Sequence, residues 1–361
     1  MIPPGVLRSF RMANPSALHR ERRRLFRRIL AISAVVGAVY GLSVSTRESM
    51  PVSLVIGILN GVVVAACIAG TEIFLLRRPA ALRALARLPF AAVVLLKTVA
   101  YGGVVSLYGL LLAGTARHLL VQSGMFSPRT SLPAAVGFAL GITALFVLVL
   151  QATALVGRRT FRDLLLGRYR RPRAERRFFL FVDVVGSTAL AERLGPLKAH
   201  EFLATVFSLA AEPIAAAQGE IYQYVGDEIV VTWTEAEGRA GARPLHCYFD
   251  LQETLAAQAP DFQARFGVAP ALRAALHLGD VIAGEVGEQR RAIVFHGDVM
   301  NTASRLEQAT RELDARFIAS AEALGALEGA DAFALRDLGA LQLRGRQAPV
   351  RASAVDRRGA P

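Results

Sequence analysis

The chain has 361 residues, is 53% hydrophobic with a mean hydropathy of +0.39, and carries a formal charge of +13 with a pI near 10.8. That hydropathy is high for a soluble protein and its excess lies before residue 158, which argues against a wholly soluble chain. The two cysteines, Cys67 and Cys247, offer neither a zinc-ligand spacing nor a disulfide framework.

A basic leader (1–28) precedes four long apolar stretches, at about Ile29 to Val44, Val52 to Leu76, Leu88 to Gly114 and Leu132 to Val156. Most reach the ~20 residues a membrane helix needs, and the first does so with its flanks. The first is not read as a cleavable signal, because its leader is long and three more stretches follow. A four-helix transmembrane domain is therefore expected over 29–157. Basic runs stand in the leader (RERRRLFRR), after the second stretch (RRPAALRALAR) and after the fourth (RRTFRDLLLGRYRRPRAERR). The other loops carry only Arg47 with Glu48, and Arg117 with Arg129. The positive-inside rule then predicts a multi-pass protein of the cell (inner) membrane with both termini cytoplasmic. Because these clusters abut the stretches, orientation and anionic lipid account for the high pI, and no nucleic-acid partner is expected.

Lys97 lies about nine residues into the third stretch, roughly 14 Å deep. An ionisable residue there is a functional candidate, with Glu72 its nearest plausible partner; a snorkelling or structural lysine is the more ordinary role. No repeated motif relates the stretches, so nothing points to a transporter. Between 158 and 176, Phe161, Leu164, Leu165 and Leu166 among arginines predict a basic amphipathic linker helix ending near Pro172.

The remaining domain (177–361) opens with the apolar run Phe179, Leu180, Phe181, Val182, a buried strand by composition, and Asp183 stands at its end. A carboxylate there is costly unless a cation or donors compensate it. Farther on, Tyr222, Tyr224 and Val225 precede Gly226 and Asp227, with Ile229 to Trp233 as the return strand of a hairpin. Were the two strands adjacent, the acids would converge as metal-assisted phosphoryl chemistry requires. Taken singly, Asp183 would cap a helix starting near Ser187, and Asp227 would be a turn residue. The segment VFHGDVMNTASRLEQAT, Val294 to Thr310, reads as strand, glycine turn and helix, with Val299, Ala303, Leu306 and Ala309 at helical spacing. Asn301 and Arg305 share one face near that helix's N-terminus, where an anion or a ribose would meet donors. Arg273 begins a strand in LRAALHLGD, and Arg344 and Arg346 flank Gly345 in LQLRGR.

Taken in this order, the segments resemble the class III nucleotide cyclase catalytic domain, from about Arg176 to Val355. The resemblance implies an α/β domain of the α+β, ferredoxin-like cyclase fold with a mostly antiparallel sheet, behind the all-α membrane domain. It implies that Asp183 and Asp227, assisted by the Val184 backbone, bind two ions of Mg2+ or Mn2+ per site. Arg273 would contact the pyrophosphate portion of the nucleotide, and Asn301 would position the ribose. Arg305 would stabilise charge at the phosphate, and Arg344, or else Arg346, would meet the terminal phosphates. The implied reaction is attack of the ribose 3'-hydroxyl on the α-phosphorus of ATP, giving cyclic AMP and pyrophosphate at a homodimer interface in the membrane-anchored protein. Two positions depart from the family. Gln223 stands where an adenine-reading Lys is usual, and Val294 where Asp or Thr is usual. The only lysines are Lys97 and Lys198, so none can substitute in the hairpin, and the Glu and Cys pair associated with guanine is missing too. A glutamine can donate and accept, so GTP stays an alternative substrate. A catalytically inactive nucleotide-binding or dimerising module is the other alternative.

Overall fold

The computed structural model describes residues 15–44, 50–72, 88–122, 132–288 and 291–358, and it divides into two compact units at Arg158. In the first unit the four apolar stretches are helices: α1 (Pro15–Val44), α2 (Met50–Gly70), α3 (Phe90–Gln122) and α4 (Leu132–Val156). Three, over Phe26–Ser43, Met50–Gly70 and Phe90–Leu111, are long and apolar enough to cross a bilayer; among the described residues α4 shows a shorter apolar segment, Thr143–Thr153. Val35, Val39, Leu95, Val99 and Leu107 lie more than half exposed, as side chains that would meet lipid rather than water. Glycine sets the approach of α1 to α2, because a Cβ at Gly37 would stand 2.1 Å from the carbonyl oxygen of Gly57 and one at Gly61 would stand 2.2 Å from that of Ser33. Small residues at such a crossing let two backbones touch. The run RRPAALRALAR, together with Arg47, Glu48 and Arg129, lies outside the described residues.

The second unit opens with α5 (Arg158–Leu165), shorter than the helix expected to run to Pro172. Gly167 takes a left-handed φ of 62°, and the Arg168 N–H turns back to the carbonyl of Asp163, so the chain leaves the helix about two turns early. Then come β1 (Arg173–Val184), α6 (Ser187–Leu194), α7 (Pro196–Ala216), β2 (Glu220–Val225), β3 (Glu228–Thr234) and α8 (Glu235–Arg239). They are followed by α9 (Arg243–Ala257), α10 (Ala259–Phe266), β4 (Leu272–Val286), β5 (Ala292–His296) and α11 (Asp298–Glu312). The chain finishes through β6 (Phe317–Ser320), α12 (Ala321–Ala326), β7 (Phe333–Leu341) and β8 (Val350–Arg357). The sheet runs β2-β3-β1-β4-β6-β8-β7, with β5 paired to β4. Only the β4–β6 pair is parallel, and α11 lies within that crossover. A mixed, mostly antiparallel α/β sheet is thus the fold of this half.

β1 is central and buried on both faces, which is why its sequence reads as a continuous apolar run. Phe178, Leu180 and Val182 enter the larger core beneath α7, α9 and α10, while Phe179 and Phe181 enter a second core with Val281, Phe295 and Val299. Arg177 interrupts this strand, 1% exposed, and its cost is met by full pairing. It donates to Thr232 at 3.1 Å, Glu175 at 3.0 Å and Glu220 at 3.1 Å, and lies 4.5 Å over the Phe295 ring. The same Glu220 accepts from Thr160 of α5 at 3.1 Å, and Arg159 pairs with Glu237 at 2.9 Å. The linker helix is therefore tied to the strand that leads into the Asp227 hairpin.

Candidate active site

Strand pairing builds the acidic half of the site. β1 lies between β3 and β4, and the register sets Asp183 opposite Glu228 on one side and opposite Arg273 on the other. The β2–β3 turn, with Gly226 at φ 61°, carries Asp227 to the same end of β1. Asp227 accepts a short hydrogen bond from the Ser187 hydroxyl at the start of α6. The cap of that helix is Gly186, with no side-chain cap bond, so Asp183 is not a helix cap. From α11, Glu307 enters the cluster, 3% exposed.

Arg273 and Arg311 compensate these acids in part. The Arg273 Nε lies 3.1 Å from Asp183 Oδ2 and 3.7 Å from Glu307 Oε1, and Arg311 Nη2 lies 3.3 Å from the same oxygen of Asp183. Compensation is incomplete. Burial, followed by the negative charges of Glu307 and Asp227, pushes the Asp183 carboxyl up to about 7. Burial and the neighbouring acids push Glu228 to about 7 as well, and burial raises Glu307. Arg273 Nε and Glu307 Oε1 are buried without a well-aligned hydrogen bond. Acids crowded around an under-satisfied polar pocket fit a divalent cation, which would relieve their repulsion. Among the described residues no group of three His, Cys, Asp or Glu forms a ready cage. Two aspartates and a backbone carbonyl suit Mg2+, which keeps waters and takes phosphate oxygens rather than filling an all-protein shell.

The second half of the site rests on α11. Gly297 precedes it where a Cβ would fall 2.6 Å from the Asp280 carbonyl oxygen, so only glycine lets β5 turn into the helix this close to β4. Asn301 is exposed and Arg305 half-buried on the first turns, and among the described residues Arg305 makes no ion pair. The turn after β7 packs there: Gly345, at φ 72°, would carry a Cβ 3.3 Å from Arg305 Nη2. Arg346 is already engaged, donating to Thr302 at 2.5 Å and pairing with Asp298 at 3.4 Å. Arg344 is exposed and has no ion pair among the described residues. Gln223 and Val294 stand on β2 and β5 beside Tyr222 and Phe295, whose rings are 5.0 Å apart. Gln223 is exposed and Val294 half-buried.

The structure thus gathers Asp183, Asp227 and Arg273, with Val184 next along β1, while Asn301 and Arg305 share α11 and the turn that carries Arg344 packs against Arg305 at Gly345. Among the described residues no hydrogen bond or ion pair links Asp183 or Asp227 to that second set. Sequence reasoning missed Glu228, Glu307 and Arg311. Glu228 stands beside Asp227, and the β1–β3 register that pairs Ile229 with Val182 puts it opposite Asp183. Glu307 looked like an ordinary helix-surface charge.

Residues 172–352 match the family model of the adenylate and guanylate cyclase catalytic domain. Over 209 residues the chain is 40% identical to Adenylate cyclase 2 of Rhizobium meliloti (strain 1021), covering 58% of each protein. Over 178 residues it is 28% identical to Adenylate cyclase 1 of the same organism, covering 46% of this chain and 25% of that protein. The chain therefore spans little more than half the length of the first relative and a quarter of the second. The solved structure of a bacterial light-regulated adenylyl cyclase shares the fold with a TM-score of 0.50 at 21% identity, over 60% of this chain and 64% of that one.

Proposed function

Since the chain belongs to the family of adenylate and guanylate cyclase catalytic domains, we propose that it is a membrane-anchored class III adenylate cyclase that works as a homodimer. The observation that carries this reading is the convergence of Asp183 and Asp227 at one end of β1, with Arg273 in register beside them. The adenylate cyclases among its relatives favour ATP over GTP, and three helices of membrane-spanning length favour the anchor. With the basic leader and linker on the cytoplasmic side, the catalytic half would face the cytoplasmic nucleotide pool of the inner membrane.

Asp183, Asp227 and the Val184 carbonyl would hold Mg2+ or Mn2+, two ions per site. When bound, these ions supply Lewis acidity toward the ribose hydroxyl and the phosphate oxygens. The chain's own groups then position and stabilise. Asn301 orients the ribose so that its 3'-hydroxyl lines up with the α-phosphorus, an advantage of orientation rather than of new chemistry. Arg305, without a carboxylate partner among the described residues, meets the negative charge that grows on the phosphate as the new P–O bond forms and pyrophosphate leaves. Arg344 meets the terminal phosphates, and Arg273 the pyrophosphate from the carboxylate side. Gln223 presents both a donor and an acceptor to the purine edge, with Val294 as an apolar wall. The carboxylates of one protomer and Asn301 with Arg305 of its partner would complete each site, which suits a chain whose two half-sets do not touch.

The test is product formation from ATP and, separately, GTP by the purified full-length protein with Mg2+ or Mn2+, alongside Asp227→Ala. Cyclic AMP that disappears in the variant is expected. Cyclic GMP alone would overturn the base assignment, and no product with nucleotide binding retained would make the domain a non-catalytic module.

A further inference from the structure

Arg311 belongs to the acidic cluster, yet the proposed reaction gives it no duty. It stands in the last turn of α11 with its side chain 57% exposed, and it reaches the buried carboxylate of Asp183. Two guanidinium groups meet there at the same oxygen. Arg273 is the nearer, with Nε 3.1 Å from Oδ2, but its N–H is not aligned for a hydrogen bond. Arg311 is the one that donates, from Nη2 at 3.3 Å. The two also differ in how they are held. Arg273 is mostly buried on β4, opposite Asp183 in the sheet register, whereas Arg311 comes from a helix end 128 positions along the chain, on a side chain with room to leave. Glu307 stands one turn back on α11, buried and close enough for the Arg311 charge to act on its carboxylate. An acid four residues before an arginine is the favourable order for a pair along a helix.

We infer that Arg311 competes with the divalent cation for Asp183, and so sets the concentration of Mg2+ or Mn2+ at which the site fills. The inference rests on the reading of Asp183 as a metal-binding carboxylate. Its reason is electrostatic: a carboxylate oxygen that faces two guanidinium groups has less charge to offer a cation, and a cation at that oxygen stands beside like charges. Arg273 is fixed in the sheet and has the pyrophosphate to meet in the proposed reaction, so it stays. Arg311 is the group that gives way, being long, half in solvent and supplied with Glu307 as a second partner. The competition is modest, because Arg311 is largely exposed. Its removal tightens the cation about fivefold, the equivalent of about 1 kcal/mol. An arginine in the last turn also complements the helix dipole, but that role is one of stability and leaves metal affinity unchanged.

The test reads metal binding rather than turnover. Full-length protein in a zwitterionic detergent is titrated with Mn2+ without nucleotide, the free ion being followed by its electron paramagnetic resonance signal. The proteins are the wild type, Arg311→Gln, Arg311→Lys, Asp183→Asn and Arg336→Gln. Arg336 is exposed on β7 and makes no ion pair among the described residues, so its variant repeats the charge change away from the cluster. Expected is a Kd about fivefold lower in Arg311→Gln, within about twofold of wild type in Arg311→Lys and Arg336→Gln, and loss of the site in Asp183→Asn. An equal Kd in wild type and Arg311→Gln, with binding lost in Asp183→Asn, would overturn the competition and leave the metal reading in place. A lower melting temperature beside that equal Kd would leave Arg311 only its helix-dipole role. An equal gain in Arg336→Gln or in Arg311→Lys would overturn the competition too. Binding that Asp183→Asn leaves untouched, or no binding by wild type and Arg311→Gln alike, would overturn the metal reading and the inference together.

Discussion

The carboxylate end of β1 and the arginine end of α11 are built on opposite plans. At the first, Asp183, Asp227, Glu228 and Glu307 crowd one another, and Arg273 and Arg311 are folded onto Asp183. At the second, Arg305 and Arg344 have no carboxylate within ion-pair distance among the described residues, while Arg346 beside them is tied to Asp298. Excess negative charge in one place and unspent positive charge in another is what a site divided between two copies of a chain would look like. In the proposed reading, cations would sit at the crowded acids and phosphate oxygens at the guanidinium groups that make no ion pair among the described residues.

The largest test of that contrast removes one member from each side. Arg305→Ala should lower kcat about 100- to 1000-fold with the fold retained by circular dichroism, because among the described residues no hydrogen bond or ion pair depends on the guanidinium. Asp227→Ala should be inactive by the same assay. Mixed together, the two variants should recover up to about a quarter of wild-type activity, since about half the dimers are mixed and each has one intact site. No recovery would mean that both halves act within one protomer.

A smaller effect sharpens the difference between the paired and unpaired arginines. Arg344→Ala should raise KM for ATP about tenfold, the loss of one charged contact worth roughly 1.4 kcal/mol, while thermal stability is unchanged. Arg346→Ala should instead show itself in melting temperature, because it removes the partner of Asp298 and Thr302. Exchange of these two signatures would reassign the phosphate contact. Smaller again, Gln223→Lys should improve the ATP to GTP ratio of kcat/KM by about fivefold if Gln223 faces the base, the value of one hydrogen bond.

Protonation offers the finest test. Burial and then the neighbouring acids push Asp183 and Glu228 up to about 7 in the fold, from 3.8 and 4.5 for ordinary side chains. The folded state therefore holds protons that the unfolded chain releases, and stability falls as pH rises from about 4 to about 7. His277 has the opposite sign. Buried, with Nδ1 2.8 Å from the Ser320 hydroxyl, it is held down to about 4, so its contribution is lost as pH falls from 6.5 toward 4. The raised carboxylates, Glu307 among them, outnumber the one imidazole and leave a net loss with rising pH in chelator. Saturating Mn2+ should cancel the carboxylate contribution and leave the upward slope of His277. Melting temperatures at pH 5, 6 and 7 with and without the ion read this directly, and identical slopes would deny the acids a metal.

Much of the site was legible in one dimension. Asp183 was visible because a charge follows an unbroken apolar strand, Asp227 because glycine and acid sit between two β-rich runs, and Asn301 with Arg305 because four residues make one helical turn. Lys97 and Glu72 were also readable as partners, since each is an isolated charge in an apolar stretch, and they pair at 2.6 Å. The linker helix was overextended, because its apolar spacing continues past Leu165 whereas Gly167, at φ 62°, already turns the chain out of the helix. Arg177 passed unnoticed, since nothing in the order of residues says that Glu175, Glu220 and Thr232 will surround it.

What the sequence by itself determined is periodic and local: which runs are apolar helices, which are strands, and which polar residues stand at their ends. Those properties depend on neighbours within one turn or one pleat, so they survive without knowledge of the fold. Only the tertiary structure decided which strand lies beside which. Pairing β1 between β3 and β4 set Glu228 and Arg273 against Asp183, and the packing of α11 brought in Glu307 and Arg311 and engaged Arg346, while Arg344 makes no ion pair among the described residues. Charge compensation is a property of distances across the folded domain, and residues 34 to 128 positions apart reach those distances only when the chain has folded.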